Sequence, residues 1–145
     1  MASRLHLSSR EVVIAMLISS LMTCRPTTLS SRDKLTKAAG LMRKGGFRRL
    51  PVVDAGRLIG IITDRDIRRH VGYLDATTVG AVMTPDPKTV TPRMSVEDAA
   101  RLMIAHKIDG LPVVEDGRLV GIVTTTDVMK AFLRVEAGVQ TLADD

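Results

Sequence analysis

The chain has 145 residues, 45% of them hydrophobic and 26% charged, which is ordinary for a globular protein and excludes disordered and fibrous classes. Aromatic residues make up only 2%, which argues against a single-stranded nucleic-acid platform because such platforms stack bases on exposed rings. The net charge of +5 suits an anionic partner, and the single cysteine excludes an internal disulfide and favours a reducing, cytoplasmic compartment.

The N-terminal segment contains an apolar run from Val12 to Met22 that follows Arg4 and ends near Cys24, which gives it some likeness to a lipoprotein signal. However, Ser8-Ser-Arg-Glu11 forms a capping box, which predicts the start of a helix, and the run is too short to span a bilayer. We therefore interpret residues 1–15 as an N-terminal extension with a helix start. We expect the apolar run to be a helix that packs on the repeat that follows.

The rest of the chain is an internal duplication. Residues 22–66 and 83–127 align without a gap at a shift of 61, with 20 identical residues among 45 pairs, far above the ~5–10% expected by chance. We assign repeat 1 to residues 16–76, repeat 2 to 77–133, and an acidic, frayed tail to 134–145. Because a half of about 60 residues buries too little apolar surface alone, we expect the two to pack together.

Each copy shows the same order of elements: a short extended piece, a helix, a hairpin and a second helix. The extended pieces are Thr28-Leu29 and Thr89-Val90. The helix that begins at Ser95 carries apolar residues at helical spacing, which must face a core. These stripe residues are Val96, Ala99, Ala100, Met103 and Ile104, and their first-copy counterparts are Leu35, Ala38, Ala39 and Met42.

Turn residues separate two β-rich runs in each copy. Asp54-Ala-Gly56 and Glu115-Asp-Gly117 predict hairpins, and the nearly continuous apolar runs Leu58–Thr63 and Leu119–Thr124 predict strands buried on both faces. The predicted fold class is α/β, more closely α+β. It consists of two β-α-β-β-α units packed with pseudo-twofold symmetry.

A Gly-h-h-Thr-x-x-Asp pattern, where h is apolar, ends each hairpin. It runs from Gly60 to Thr63 and Asp66, and again from Gly121 to Thr124 and Asp127. A hydroxyl thus ends a strand beside a helix N-terminus, which is a natural seat for phosphate, and the carboxylate is suited to ribose hydroxyls. The alternative is that Thr-x-x-Asp is only a helix-capping pair that needs no ligand.

The Leu-Pro-Val-Val strand that begins at Leu50 and again at Leu111, the Gly-h-h-Thr-x-x-Asp ending and the tandem duplication together resemble the CBS (cystathionine β-synthase) domain family. The resemblance covers about residues 16–133. It implies a regulatory module that forms a homodimer, with a parallel or an antiparallel arrangement, and that signals to a partner protein. Its clefts would bind an adenosine-containing ligand such as AMP, ADP, ATP or S-adenosylmethionine, with no catalytic cofactor.

The resemblance also implies roles for individual residues. Asp66 and Asp127 would hold ribose hydroxyls, while Thr63 and Thr124 would lie beside the ribose and phosphate. The remaining predicted contacts are Thr28, Leu29, Thr89 and Val90, which would flank the base.

The two copies differ in charge at the motif. Arg65 and Arg48-Arg49 of the first copy are replaced by Thr126 and Asp109-Gly110 in the second. Because guanidinium groups pair well with phosphate, we expect the Asp66 site to suit a phosphorylated ligand better. The alternative is that these arginines form a solvated surface.

No catalytic constellation is evident in the sequence. His6, His70 and His106 lack the spacing of metal ligands, and Cys24 has no partnered base, so we predict neither an enzyme nor a metal site. We also expect no membrane partner, and self-association through an apolar helical face at Val12–Met22 or Val128–Leu133.

Two other functions are weighed against the regulatory module. A pI near 9.9 suits a nucleic-acid-binding protein, although we do not favour that partner. The chain also suits a detached regulatory subunit of an enzyme such as inosine monophosphate dehydrogenase. The catalytic barrel of such an enzyme would need about 250 further residues.

Overall fold

The computed structural model describes the backbone of residues 7–143, and the side chains of all of these except residues 13, 14 and 138–143. The first six residues of the predicted N-terminal extension, including Arg4 and His6, lie outside the described residues. The last two residues of the predicted tail do so as well.

The elements within residues 7–143 follow the predicted order in both copies. The helices are α1 (Ser9–Ala15), α2 (Leu35–Gly45), α3 (Asp64–Arg69), α4 (Val79–Val82), α5 (Val96–His106) and α6 (Thr125–Ala143). The strands are β1 (Thr23–Cys24), β2 (Arg49–Asp54), β3 (Arg57–Thr63), β4 (Thr84–Pro85), β5 (Gly110–Glu115) and β6 (Arg118–Thr124). Short 3₁₀ turns lie at Ile18–Ser20 and Leu74–Ala76.

Two hairpins of matching register form the centre of a six-stranded antiparallel sheet. β2 pairs with β3 and β5 pairs with β6, and the pairs Leu50 with Ile62 and Leu111 with Val123 are equivalent under the shift of 61. Both hairpins carry a bulge at the equivalent place, after Val52 in one copy. The hairpins and the pseudo-twofold fold of two β-α-β-β-α units are therefore confirmed.

The hairpin turns explain why the two copies share this register. Ala55 and Gly56 have φ angles of 51° and 78°, and Asp116 and Gly117 have 53° and 77°. Two successive left-handed residues form the tight turn whose twist matches that of the flanking strands. The turn therefore fixes which residues of each hairpin face each other.

The short N-terminal strand of each copy pairs with the hairpin of the other copy. β1 pairs with β6, and β4 pairs with β3. The motif glycines permit this contact: a Cβ on Gly60 would lie 2.5 Å from the Met83 sulfur, and one on Gly121 would lie 2.8 Å from the Met22 sulfur. The two copies are thus joined by exchanged segments as well as by side-chain packing.

The chain has two hydrophobic cores, and each includes one residue of the other copy: Val79 in the first core and Ile18 in the second. The first contains Leu29, Leu35, Ala38, Met42, Leu50, Val52, Ile62 and Val79, and the second contains Ile18, Val90, Val96, Ala99, Met103, Leu111, Val113 and Val123. Ile18 lies at the start of the first copy in sequence yet is fully buried in the second core. The repeat boundaries 16–76 and 77–133 stay a prediction. They divide the sequence, whereas each core combines residues from both repeats.

The apolar run Val12–Met22 is not one helix, so that prediction was wrong. The predicted capping box is present, because the Ser8 N–H donates to Glu11 Oε2 at 2.7 Å and the Glu11 N–H donates to Ser8 Oγ at 3.2 Å. However, α1 ends at Ala15, and the Ile18 N–H donates to the Met94 carbonyl at 2.9 Å. Bonds to the second copy replace those that would have continued the helix.

Ile104 was wrongly predicted to face the core, since it is 80% exposed. Val96, Ala99 and Met103 are buried as expected. With 3.6 residues per turn, Ile104 lies about 100° around the helix from Met103 and so falls off the buried stripe.

Two further expectations are modified by the structure. The predicted frayed tail is helical as far as Ala143, because α6 contains no proline and begins with a side-chain cap at Thr124. The strands β3 and β6 are fully buried only near their centres, at Gly60–Ile62, Gly121 and Val123, because their outer ends lie near the hairpin tips. Within the described range, no helix is long and apolar enough to cross a membrane.

Candidate functional site

Both Thr-x-x-Asp motifs form the same hydrogen-bonded cap. The Thr63 N–H and hydroxyl donate to Asp66 Oδ2 at 2.9 and 3.0 Å, and the Asp66 N–H donates to Thr63 Oγ1 at 3.3 Å. Thr124 and Asp127 repeat these bonds at 2.8, 3.0 and 3.2 Å. The capping role is therefore present in both copies. Among the described residues, Oδ1 of each aspartate has no partner, which leaves one oxygen for a ligand.

The N-terminus of α3 offers fewer free N–H groups than a phosphate seat needs. The Asp64 N–H donates to the Arg48 carbonyl at 2.8 Å, and the Asp66 N–H is used by the cap. The helix is also only six residues long, so its dipole is small. Side chains must therefore supply most of the attraction for an anion.

A cavity of about 960 Å³ lies beside the start of α3, and both copies form its walls. We call it the basic cleft. The first copy contributes Arg48, Arg49, Ile61, Thr63, Asp64, Arg65 and Arg68, and the second contributes Thr84, Asp86, Pro87, Lys88, Met103, Ile104, His106, Lys107, Ile108, Asp109, Gly110, Pro112 and Thr125. The motif of one copy thus faces the segment after β4, which belongs to the other.

A second cavity of about 570 Å³ lies beside the start of α6, at the pseudo-symmetric place. We call it the threonine cleft, because Thr23, Thr27, Thr124, Thr125 and Thr126 line it. Its other walls are formed by Arg25, Pro26, Gly46, Phe47, Arg48, Arg49, Leu50, Pro51, Asp109, Ile122 and Asp127. Here the second-copy motif faces the segment that follows β1.

The two clefts differ in charge. Six arginines and lysines line the basic cleft against three aspartates, whereas three arginines line the threonine cleft against two aspartates. Two cations of the basic cleft are paired: Arg49 with Asp109 at 2.5 Å, and Arg68 with Asp64 at 3.8 Å. In the described part of the chain, the other four have no ion-pair partner; they are Arg48, Arg65, Lys88 and Lys107.

The structure brings most of the predicted motif residues to the two clefts. Thr63 and Arg65 line the basic cleft, and Thr124 and Asp127 line the threonine cleft. Arg48 and Arg49 line both, which differs from the expectation that they belong to one side only. Asp66 follows Arg65, which lines the basic cleft, but Asp66 itself does not line it.

The predicted base-flanking residues are placed differently from the others. Leu29 and Val90 are buried in the two cores, and their backbone groups pair with β2 and β5, so their side chains do not reach a cleft. Side chains of extended residues point alternately to opposite faces of the sheet, and those of Leu29 and Val90 point into the cores. Thr28 and Thr89 are exposed, but neither lines a cavity.

Several cleft residues were not found from the sequence. Lys88, Lys107 and Arg68 line the basic cleft, and Arg25 and Phe47 line the threonine cleft. The shift of 61 aligns Lys88 with Thr27 and Lys107 with Gly46, so their charge asymmetry was visible in the sequence. The sequence does not show whether the segment after β1 or β4 faces the motif of its own copy or that of the other copy, because the alignment of the repeats is the same in both cases.

The described residues contain no group of three or more His, Cys, Asp or Glu side chains placed to hold a metal ion. Cys24 is exposed and forms no disulfide. The described clefts therefore present threonines, carboxylates and cations, which are groups suited to a polar anionic ligand.

Comparison with known proteins gives the family. The profile of the CBS domain matches residues 18–73 and again residues 79–134. The CBS domain-containing protein YhcV of Bacillus subtilis is 38% identical over 113 residues, which cover 76% of this chain and 81% of YhcV. The inosine-5'-monophosphate dehydrogenase of Korarchaeum cryptofilum is 40% identical over 102 residues, which cover 70% of this chain but only 21% of that enzyme.

Solved structures share the fold. CBSX2 in complex with AMP aligns with a TM-score of 0.78 and 31% identity, covering 84% of this chain and 99% of that one. The CBS domain pair of protein MJ0100, in complex with 5'-methylthioadenosine and S-adenosyl-L-methionine, gives a TM-score of 0.73 and 33% identity, with coverages of 81% and 99%. Both of these similar proteins bind adenosine-containing ligands.

Proposed function

Because this chain belongs to the CBS domain family and carries two copies in tandem, we propose that it is a regulatory module that binds an adenosine-containing ligand and signals its occupancy to a partner protein. The observation that carries the proposal is the basic cleft. It combines a strand-end threonine with four cations that have no ion-pair partner among the described residues. Its volume of about 960 Å³ is within the range of small-ligand sites.

The roles in the basic cleft follow from its chemistry. Arg65, Lys88 and Lys107 would hold phosphate oxygens through charge-assisted hydrogen bonds. Thr63 would lie beside the ribose and phosphate, and Asp66 would turn its unused Oδ1 toward a ribose hydroxyl. The excess of cations favours AMP, ADP or ATP over the positively charged S-adenosylmethionine in this cleft.

The threonine cleft is suited to a ligand of lower charge. Thr124 and Asp127 line this cleft and would contact the ribose, the role that we propose for Thr63 and Asp66 in the basic cleft. Phe47 offers a partly exposed ring for the adenine. Thr28, which follows the wall residue Thr27, would approach the base here, and Thr89, which follows Lys88, would approach the base in the basic cleft. We propose that S-adenosylmethionine or a similar adenosine ligand is accepted here more readily than in the basic cleft.

The similarity to inosine-5'-monophosphate dehydrogenase supports a regulatory role rather than a catalytic one. The matched part is about a fifth of that enzyme, whereas the match to YhcV, a CBS domain-containing protein, covers 81% of YhcV. We therefore propose a non-catalytic module that acts on another protein, without assigning it that enzyme as a partner.

A thermal-shift screen tests the proposal. The full chain is heated with AMP, ADP, ATP, S-adenosylmethionine or NAD at a concentration of 100 times the dissociation constant, where a ligand stabilises the fold by about 2.7 kcal/mol. A clear rise in Tm with at least one adenosine ligand is expected.

The screen also separates the nucleic-acid alternative suggested by the basic charge. Guanosine nucleotides and inorganic phosphate serve as controls for binding that depends on charge alone. If no adenosine ligand raises Tm, the proposed function is wrong. Tight binding of DNA or RNA with a strong dependence on salt would then support the nucleic-acid alternative.

A further inference from the structure

Arg49 reaches across the boundary between the two copies. Its guanidinium Nη2 lies 2.5 Å from Asp109 Oδ1 of the second copy. Gly110, the second-copy equivalent of Arg49, provides the room: a Cβ at Gly110 would lie 3.1 Å from Arg49 Cδ. The chain therefore has one guanidinium where strict symmetry would place two.

The Arg49–Asp109 pair belongs to both clefts. Both residues line the basic cleft, and both line the threonine cleft. Any other arginine or lysine that lines the basic cleft, except Arg48, lines that cleft alone. The pair is therefore a charged element that a ligand in either cleft can reach.

The pair is also easily broken. The Asp109 side chain is 47% exposed, and ion pairs open to solvent on one side are weak. Arg49 Nε is buried without a hydrogen-bond partner among the described residues, so the present arrangement leaves one donor unused. A phosphate group that accepts from more than one guanidinium N–H would satisfy Arg49 better than Asp109 does.

We propose that the Arg49–Asp109 pair couples the two clefts, so that an anionic ligand in one weakens the binding of an anionic ligand in the other. This inference rests on the proposed function. A phosphate in the first occupied cleft draws Arg49 away from Asp109. The other cleft then loses a cation and faces an uncompensated carboxylate, which repels a second phosphate. A second ligand without phosphate meets no such repulsion.

Calorimetric titration of AMP into the full chain provides the test, and the quantity compared is the ratio of the second to the first stepwise Kd. In Asp109→Asn, the first AMP no longer has to break the pair, and the second no longer meets a bare carboxylate. We expect this ratio to fall by about tenfold relative to the unmodified chain, within the usual range of coupling between sites. If the unmodified chain binds only one AMP, the Asp109→Asn variant should bind two.

Two variants and one ligand serve as controls. Arg49→Gln removes the cation that both clefts share. Both AMP molecules should therefore bind more weakly, and the ratio of the second to the first Kd should again fall. Asp86→Asn removes a carboxylate that lines the basic cleft alone, so it should strengthen one step without lowering the ratio. Asn is well tolerated at this position, where φ is 47°. Adenosine, which has no phosphate, should give the same ratio in the unmodified chain and in Asp109→Asn.

An unchanged ratio for AMP in both Asp109→Asn and Arg49→Gln would overturn the coupling and leave the proposed function intact. A failure of AMP to bind at all would also overturn it. The proposed function fails only if every adenosine ligand in the thermal-shift screen is without effect, so the two failures are distinguishable.

Discussion

Asp54 shows how one residue distinguishes the two copies. It accepts hydrogen bonds from the Ser31 hydroxyl at 2.5 Å, from the Ser31 N–H at 3.1 Å and from the Ser30 hydroxyl at 3.1 Å. The bonds from Ser31 hold the pKa of the Asp54 carboxyl below its usual range. Glu115, its second-copy equivalent, has no hydrogen-bonded side-chain partner in the described part of the chain.

We predict that Asp54 contributes to the acid sensitivity of the fold. Because its pKa is lower in the folded state, its contribution is present above the ordinary pKa, near 4, and is lost as the pH falls through the lowered value. Asp54→Asn should therefore reduce the free energy of unfolding at pH 7 and flatten its decline toward pH 3, as measured by urea denaturation. Glu115→Gln is the matched control, and equal declines in the two variants would refute the assignment.

At the same scale, the local chemistry of the motifs was predictable but their surroundings were not. The Thr63–Asp66 cap follows from spacing, because a side chain three residues into a helix reaches back to the residue before it. The wall opposite Thr63 comes from residues more than twenty positions away in the other copy. No local rule links Thr63 to Lys88 or Lys107.

At the scale of elements, the turn residues predicted both hairpins and the apolar stripe predicted α5. The exchange of β1 and β4 between the copies was not predicted, since two-residue strands carry no readable alternation. The same exchange explains why α1 ends early, because the Ile18 N–H bonds to the second copy. Contacts between distant segments, rather than propensity, decided these elements.

This exchange predicts that neither half folds alone. Residues 1–76 would lack β4, which pairs with β3, and α4, which contributes Val79 to the first core. The fragment would also expose Ile18, which is fully buried in the second core. We expect this fragment to aggregate or to melt without cooperativity, as measured by circular dichroism and size-exclusion chromatography beside the full chain. A sharp, cooperative melt of a monomeric fragment would show that the exchanged segments are not needed.

At the scale of the whole molecule, α6 presents an apolar surface to solvent. Met129 is 60% exposed and Leu133 is 66% exposed, and Phe132 is partly exposed beside them. Such a surface is typical of a contact between copies, and it includes the predicted face Val128–Leu133. Of the other predicted face, Leu17 is partly exposed while Ile18 is buried, which makes α6 the better candidate.

We predict that the chain is a homodimer that forms through α6. Sedimentation at micromolar concentration should give twice the chain mass of 15.7 kDa, and Leu133→Glu should shift the equilibrium toward the monomer because it places charges in the contact. Ile104→Glu is the control, because Ile104 is 80% exposed on the wall of the basic cleft and is not part of the Val128–Leu133 face. A monomer for the unmodified chain would contradict the prediction.

The central claim is that the basic cleft binds the phosphate of an adenosine ligand. The most direct test is a calorimetric titration of AMP into the unmodified chain, Arg65→Ala and Thr126→Ala. Arg65 lines the basic cleft without an ion-pair partner among the described residues, and Thr126 is its equivalent in the threonine cleft. Loss of a charge-assisted bond of about 1.5–3 kcal/mol should weaken the tighter AMP site about ten- to a hundredfold in Arg65→Ala and leave it nearly unchanged in Thr126→Ala. An equal loss in both variants, or no loss in Arg65→Ala, would contradict the account.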